Sequence, residues 1–414
     1  MNEKILAFLK ESGFMCAREE RVAVMRAFED EARAAIAGAP SSLRMIDSCL
    51  SFSSVVPAVS KPAVVVDAGG TNLRVAAVRF TPEGPVFSHL RRSRMPGTNG
   101  SVSADAFHAV IAAEVDAIRA REPTVSGIGY CFSYECRSLP DGDAELVAWS
   151  KQVSAPEVIG QRVGAELVRR LAEGPLPVTV LNDTVATLLA GLSCRDETCP
   201  GQIGFILGTG TNLACVENGT IRNAESGECD KILRTPCDIA FDASLPDTGA
   251  APFEKMVSGA YLGGVGLELF KAAARVGLLC GPGLADLSLS TCDLDMFCAG
   301  DTSPAQLLTS ALAPEDVPVA RELGRAVFRR AASLTAAHLA AFVRRSADAG
   351  RSPVCITADG STYWKTRAVD FDGIVRKEIA ELVPDVPFKI LQIYEAPMVG
   401  AAVAAMAYGD KGTQ

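Results

Sequence analysis

The chain has 414 residues but only three histidines, His89, His108 and His338, and its thirteen cysteines are scattered. The closest cysteine pairs, Cys131/Cys136 and Cys194/Cys199, lack the spacing of a zinc knuckle, so no structural metal site is expected. Positive charge is short as well. Lys and Arg total 40 against 49 Asp and Glu, a net charge of −9 with a pI near 5.1. That balance disfavours nucleic acid and anionic membranes as partners. No apolar run approaches the roughly 20 residues of a membrane span. The opening MNEKILAFLKESGF carries acids and has no apolar leader core. A cytoplasmic protein with free thiols is expected, long enough for about two or three domains.

Hydrophobic residues make up 48% and charged residues 21%, a globular balance. Met25, Phe28, Ala32, Ala35 and Ile36 recur at helical spacing within 17 to 37, and Gly38 and Pro40 stop that helix. Ser103 is a plausible N-cap for a helix carrying Phe107, Val110, Ile111, Val115 and Ile118. Strands are expected at 126 to 132 and 177 to 181, with a helix near 157 to 173 between them. Residues 203 to 217 read as a hairpin, 316 to 346 as a long helix, and 397 to 408 as a closing Ala-rich helix. Strands alternating with helices indicate an α/β fold.

One segment repeats. VVDAGGTNLRV at 65 to 75 and FILGTGTNLAC at 205 to 215 align without a gap. Each is an apolar strand, a glycine-rich tip and a return strand, as a duplicated domain would give. Glycine permits positive φ and removes the Cβ that would block a ligand. Successive exposed N–H groups then form a donor surface for phosphate oxygens. Gly69, Gly70 and Thr71 form one such tip, and Gly208, Thr209, Gly210 and Thr211 the other. Two tips face to face could grip the phosphates of one nucleotide. An acid beside phosphates requires a cation, so Asp67 is read as a holder of hydrated Mg²⁺. The competing reading is a pair of tight hairpin turns. In VTVLNDTVAT, Asn182 and Asp183 end an apolar strand, where α/β folds place ligands, and Thr184 could cap the next helix. Asp183 is the candidate base for phosphoryl transfer to a hydroxyl. Its bland alternative is a helix cap.

Together these segments resemble the eukaryotic-type hexokinases, sugar kinases of the actin-like ATPase superfamily. The tip at 67 to 74, including Asn72 and Arg74, is similar to their first phosphate motif, and GFILGTGTNLACVE to their second. LNDTVAT resembles the segment with their catalytic Asp. FDASLPDTGAAPFEKMVSGAYLGG, SSLRMIDSCL and ITADGSTYWK resemble further family stretches, the last on the adenosine side with Gly360 and Ser361. The likeness runs in order from about residue 17 to the C-terminus.

The resemblance implies two domains around a sugar and ATP cleft, each a mixed five-stranded sheet flanked by helices (a ribonuclease H-like fold). The small domain would span 60 to 183 and be joined by helix 397 to 410. Residues 1 to 59 and 184 to 396 would form the large domain. It implies an ATP-dependent transfer to the 6-hydroxyl of glucose or a related hexose, with ATP and Mg²⁺ bound. Ser133, Ser150, Lys151, Asn182, Asp183, Asn212 and Glu225 match the family's sugar positions. Lys151 and Arg74 would assist catalysis. Monomer and homodimer both fit. Two positions depart from the family: Gly264 stands where a sugar-holding Glu is expected, with Glu268 one turn later, and Glu135 replaces a proline. A sugar sensor with weak catalysis, or a kinase for another sugar, is the alternative these changes raise.

Overall fold

A computed structural model describes residues 3–52, 61–149, 153–193, 199–280, 283–301 and 306–408. Strand Ala63–Ala68 is buried along its whole length, as a central strand of a covered sheet must be. It pairs antiparallel with Asn72–Thr81 and parallel with Ile128–Phe132. Gly84–Arg94 and Val178–Leu181 form the edges of this five-stranded mixed sheet. The second sheet runs Ile46–Ser51, Thr220–Asn223, Thr211–Glu217, Gly201–Leu207, Val354–Asp359 and Phe388–Gln392. It is also mixed, and the fold is the expected two-domain α/β arrangement. The second sheet has six strands rather than five, because Ile46–Ser51 of the SSLRMIDSCL segment adds an antiparallel edge to Thr220–Asn223.

The repeated hairpins are both present, but their registers differ. Ala68 pairs with Leu73, leaving 69 to 72 as the tip. Leu207 pairs with Thr211, leaving only 208 to 210. The first tip is therefore wider, and Asp67 comes to face Arg74 across its hairpin.

Ser103 caps Ala104–Arg119 by accepting from the Ala106 N–H. Arg18–Ile36 buries Phe28 against Phe253 and His338, at ring separations of 4.8 and 4.3 Å. His338 lies on the long helix Val317–Asp348, and burial lowers its imidazole to about 3, so it is a neutral core residue. The single helix expected over 157 to 173 does not form. Pro156–Val158 makes one 3₁₀ turn, Gly160 takes φ +82°, and only Val163–Val168 is α-helical.

Two helices lie between the sheets. Asp183–Leu192 and Ala396–Tyr408 share one apolar cluster with Val65, Ala76 and Val78 of the first sheet and Ala214, Val216 and Ile221 of the second. They cross closely at Gly400, where a Cβ would fall 1.7 Å from the Ala186 carbonyl oxygen. Only glycine permits that approach.

Candidate active site

Because Ala63–Ala68, Ile128–Phe132 and Val178–Leu181 run parallel, they end at the same edge of the first sheet and the polar residues that follow them converge. Gly70, Thr71, Ser133, Asn182, Asp183, Thr209, Gly210, Thr211, Asn212 and Glu225 all line one cleft of about 990 Å³. Both glycine tips are thus in the same space. Asp67, Gly69, Asn72, Arg74, Gly208, Gly360 and Ser361 lie outside this lining. Ser150 and Lys151 fall outside the described residues.

Asp183 is the first residue of its helix, and the cap is Asn182, not Thr184. The Asn182 carboxamide oxygen accepts the Thr184 N–H at 2.8 Å. This frees Asp183 from capping duty and leaves its carboxylate at the helix N-terminus, where the backbone dipole favours negative charge. The Thr184 hydroxyl donates to Asp183 Oδ1 at 3.3 Å.

The sugar-type residues form one hydrogen-bonded array. Asn223 Nδ2 donates to Glu225 Oε1 at 2.6 Å, and Asn212 Nδ2 donates to Asn223 Oδ1 at 2.7 Å. The Asn212 oxygen accepts the N–H groups of Leu213 and Ser226. Glu225 sits at φ +52°, a strained setting for a residue with a Cβ, which aims its side chain at the cleft end of the array. Burial raises the Glu225 carboxyl above its ordinary range and Asp183 adds to the rise, while Asn223 and Arg44 oppose it. Asn223 was not picked out from the sequence.

Nor was Glu254, although its Phe-Glu-Lys-Met run was. Glu254 lines the cleft, and its Oε2 accepts the Thr211 N–H at 2.8 Å. A Cβ on Gly210 would come within 2.5 Å of the same oxygen. Glu254 therefore fixes the shape of the second tip. Behind that tip, Gly208 carbonyl accepts the Thr362 hydroxyl at 2.8 Å, which brings the segment carrying Gly360 and Ser361 against it.

Asp67 is buried beneath the first tip. Arg74 Nε donates to its Oδ2 at 2.7 Å, and Arg74 also pairs with Glu395. Arg74 thus places positive charge directly against Asp67. Burial still raises the Asp67 carboxyl, against the pull of Arg74 and with a contribution from Asp183. Cys131 lies in the field of both acids and its thiol is pushed well up, chiefly by burial.

The two departures also have structural explanations. At Gly264 a Cβ would meet the Phe241 ring at 2.1 Å, so an aromatic ring fills the space beside it. Glu268 does not take over a cleft role, since it pairs with Lys271 at 3.0 Å on the helix surface. Glu135 forms an ion pair of 2.6 Å with Arg44, linking the ribbon Glu135–Ser138 to the segment ahead of Ile46–Ser51.

Two hexokinase family models match the chain, over residues 10–192 and 202–407. The chain belongs to the hexokinase family. Hexokinase-1 of Oryza sativa subsp. japonica is 27% identical over 470 residues, covering 99% of this chain and 92% of its own length. Hexokinase-1 of Schizosaccharomyces pombe is 28% identical over 83% of this chain and 78% of its own. Human Hexokinase-3 is 28% identical over 88% of this chain, which spans 43% of that longer protein. The Schistosoma mansoni hexokinase, solved in complex with glucose, superposes with a TM-score of 0.77 at 26% identity, covering 98% of each chain. Membership makes this an ATP-dependent hexose phosphotransferase. No helix among the described residues is long and apolar enough to cross a membrane.

A hexokinase takes its nucleotide with a divalent cation, and the acids around the first tip suit one. Burial raises the Asp359 carboxyl as well. Arg74 pulls against that rise while Glu395 and Asp183 add to it, and Arg74 itself pairs with Asp67 and Glu395. Among the described residues no three His, Cys, Asp or Glu side chains are grouped to hold an ion directly. The acids around Arg74 suit a cation shared with phosphates.

Proposed function

We propose that this hexokinase transfers the γ-phosphoryl group of ATP to the 6-hydroxyl of glucose or a closely related hexose, with Asp183 as the base. The observation that carries this reading is the shared cleft, whose lining includes Asp183, residues of both glycine tips, and Asn212 and Glu225 of the hydrogen-bonded array. Ser133, Asn182, Asn212 and Glu225 would hold sugar hydroxyls, together with Ser150 and Lys151. A polar group left unpaired in such a site costs roughly 1–3 kcal/mol, so the array also selects. Gly69, Gly70, Thr71 and Asn72 would hold phosphates from one side, and 208 to 211 from the other, with Gly360 and Ser361 toward the nucleoside. Mg²⁺ held at Asp67 would neutralise phosphate charge. Asp183 would accept the proton as the sugar oxygen attacks.

The lobe of residues 60 to 183, with the last helix, would close on the rest and keep water from the γ-phosphate. The free state of all twelve described cysteines supports a reducing, cytoplasmic setting. ADP release from MgATP should appear with glucose or another hexose in the panel of mannose, fructose, glucosamine and N-acetylmannosamine. Asp183→Ala should nearly abolish it while leaving sugar affinity within about tenfold. Undiminished turnover in that variant would remove Asp183 as the base. A folded wild type that binds nucleotide yet is silent with every sugar would point to a sensor.

A further inference from the structure

Phosphoryl transfer spreads negative charge over the three equatorial oxygens of the moving group, and kinases meet that charge with metal ions and a side-chain cation. Arg74 is poorly placed for this. It is held between Asp67 and Glu395 and does not line the cleft. Among the described residues of the cleft lining, the cations are Arg44 and Arg94. Arg44 belongs to the sugar end. It hydrogen-bonds Glu135 at 2.6 Å and lies in the field of Glu225 and Glu228.

Arg94 is attached to the first glycine tip. It closes strand Gly84–Arg94, and its register partner across the ladder is Asn72 of the first tip. The next N–H, that of Met95, donates to the Thr71 carbonyl at 2.9 Å. The backbone carrying Arg94 is thereby fastened to the tip itself. Beyond it, the chain folds over the same tip. The Thr98 hydroxyl donates to the Met95 carbonyl at 2.7 Å, Gly97 turns at φ +86°, and the Gly97 carbonyl accepts the Ser154 N–H at 2.9 Å. Thr98 and Asn99 line the cleft beside Gly70 and Thr71.

The side chain is held by a neutral group. Arg94 Nη1 donates to Asn99 Oδ1, and among the described residues Arg94 has no carboxylate partner. Its charge is uncompensated, unlike that of Arg74. An amide oxygen is a weak competitor against phosphate, which a guanidinium can grip with two parallel donors.

We propose that Arg94 contacts the phosphate chain of the nucleotide and stabilises the γ-phosphoryl group during transfer. The assignment rests on the kinase reading above. In that step the sugar oxygen forms a bond to the γ-phosphorus, and the bond from that phosphorus to the β–γ bridging oxygen breaks. The electron pair leaves on ADP, and the hydroxyl proton goes to Asp183. Arg94 makes and breaks no covalent bond. Its donors meet the equatorial oxygens, where charge is greatest midway.

The test compares Arg94→Gln and Arg94→Lys with wild type in the full chain. Steady-state ADP release would be read with glucose saturating and MgATP varied. Affinity for MgAMPPNP, a non-hydrolysable analogue, would be read by calorimetry. Arg94→Gln should lower kcat about 10- to 100-fold, as loss of a charge-stabilising donor does, and weaken MgAMPPNP several-fold. Its glucose KM should stay within about twofold. Arg94→Lys should recover part of the kcat loss. Arg94 is exposed, so an unchanged melting temperature is expected and would separate this effect from misfolding. An Arg94→Gln enzyme whose kcat and MgAMPPNP affinity match an active wild type overturns the assignment. A wild type silent with every hexose sinks the kinase reading instead, and the MgAMPPNP comparison then still decides whether Arg94 meets phosphate.

Discussion

Replacing Glu225 with Gln tests its proposed hold on the sugar with little change of shape. Oε1 already accepts Asn223 Nδ2 at 2.6 Å and has Asn212 Nδ2 at 3.4 Å. Sugar hydroxyls must therefore use Oε2, and Gln replaces that charged acceptor by a neutral amide. A hydrogen bond to a charged group contributes about 1.5–3 kcal/mol, so glucose should bind about 10- to 150-fold more weakly. The loss should appear mainly in sugar affinity. The pH response gives a second handle. Burial raises the Glu225 carboxyl, Asp183 raises it further, and Asn223 and Arg44 oppose the rise without cancelling it. Under the proposed role the ionised carboxylate accepts the sugar hydroxyls, so protons should compete with sugar. Wild-type affinity should fall on acidification at a higher pH than an ordinary glutamate would dictate. Glu225→Gln should be flatter through the same window. Tryptophan fluorescence suits the assay, because Trp149, next in sequence to Ser150 and Lys151, packs on Phe132 and Tyr134. A Glu225→Gln protein that binds glucose within threefold of wild type would refute this account, as would a wild type whose affinity ignores pH while the variant's does not.

Two further predictions concern stability. Lys255 and Asp242 are buried together, with Nζ 2.7 Å from Oδ1 and both side chains 4% exposed. Lys255→Met should cost about 3–5 kcal/mol by leaving the acid undercompensated, nearer the lower figure because Arg234 still reaches Asp242 at 2.7 Å. A urea midpoint corresponding to less than 1 kcal/mol would contradict it. Asp242 resists its burial through hydrogen bonds from Lys255 and Arg234 and is lowered to about 2. Its stabilising contribution is therefore full above the ordinary carboxylate value and lost as pH falls toward 2. Gly400→Ala supplies a test of sign. Helix propensity alone would make it stabilising by about 0.8–1.0 kcal/mol, whereas overpacking against Ala186 should destabilise by about 1–3 kcal/mol. A raised melting temperature would mean that the helices separate more easily than this crossing implies.

The parts of the site legible in the sequence were those fixed locally. A glycine tip between two apolar runs is a hairpin wherever it lies, and a polar pair after a buried strand falls at the ligand end of a sheet. Asn182 and Asp183 are of that kind, although which of them caps the helix was settled only by backbone geometry. Asn223 and Glu254 were not legible, because their roles depend on partners brought in from other segments: Glu225 and Asn212 for the first, the Thr211 N–H for the second. The helix at 157 to 173 was overdrawn because apolar spacing outweighed Gly160, whose positive φ breaks the run. The sixth strand was missed because Ile46–Ser51 bends, with Cys49 at φ +58° and a register shift between Asp47 and Ser51.

The helix Ala396–Tyr408 is made after every strand of both sheets, yet it packs beneath the first of them. Val65 and Ala76, among the earliest sheet residues to leave the ribosome, share their apolar cluster with Val399, Ala402 and Val403. During synthesis the first sheet must wait with that face uncovered until the last helix arrives. The nascent chain is consequently at greatest risk of sticking to its neighbours late, not early. Cleavage that removed only this final helix would take away no cleft-lining residue, yet it would strip one of the two helices packed between the sheets.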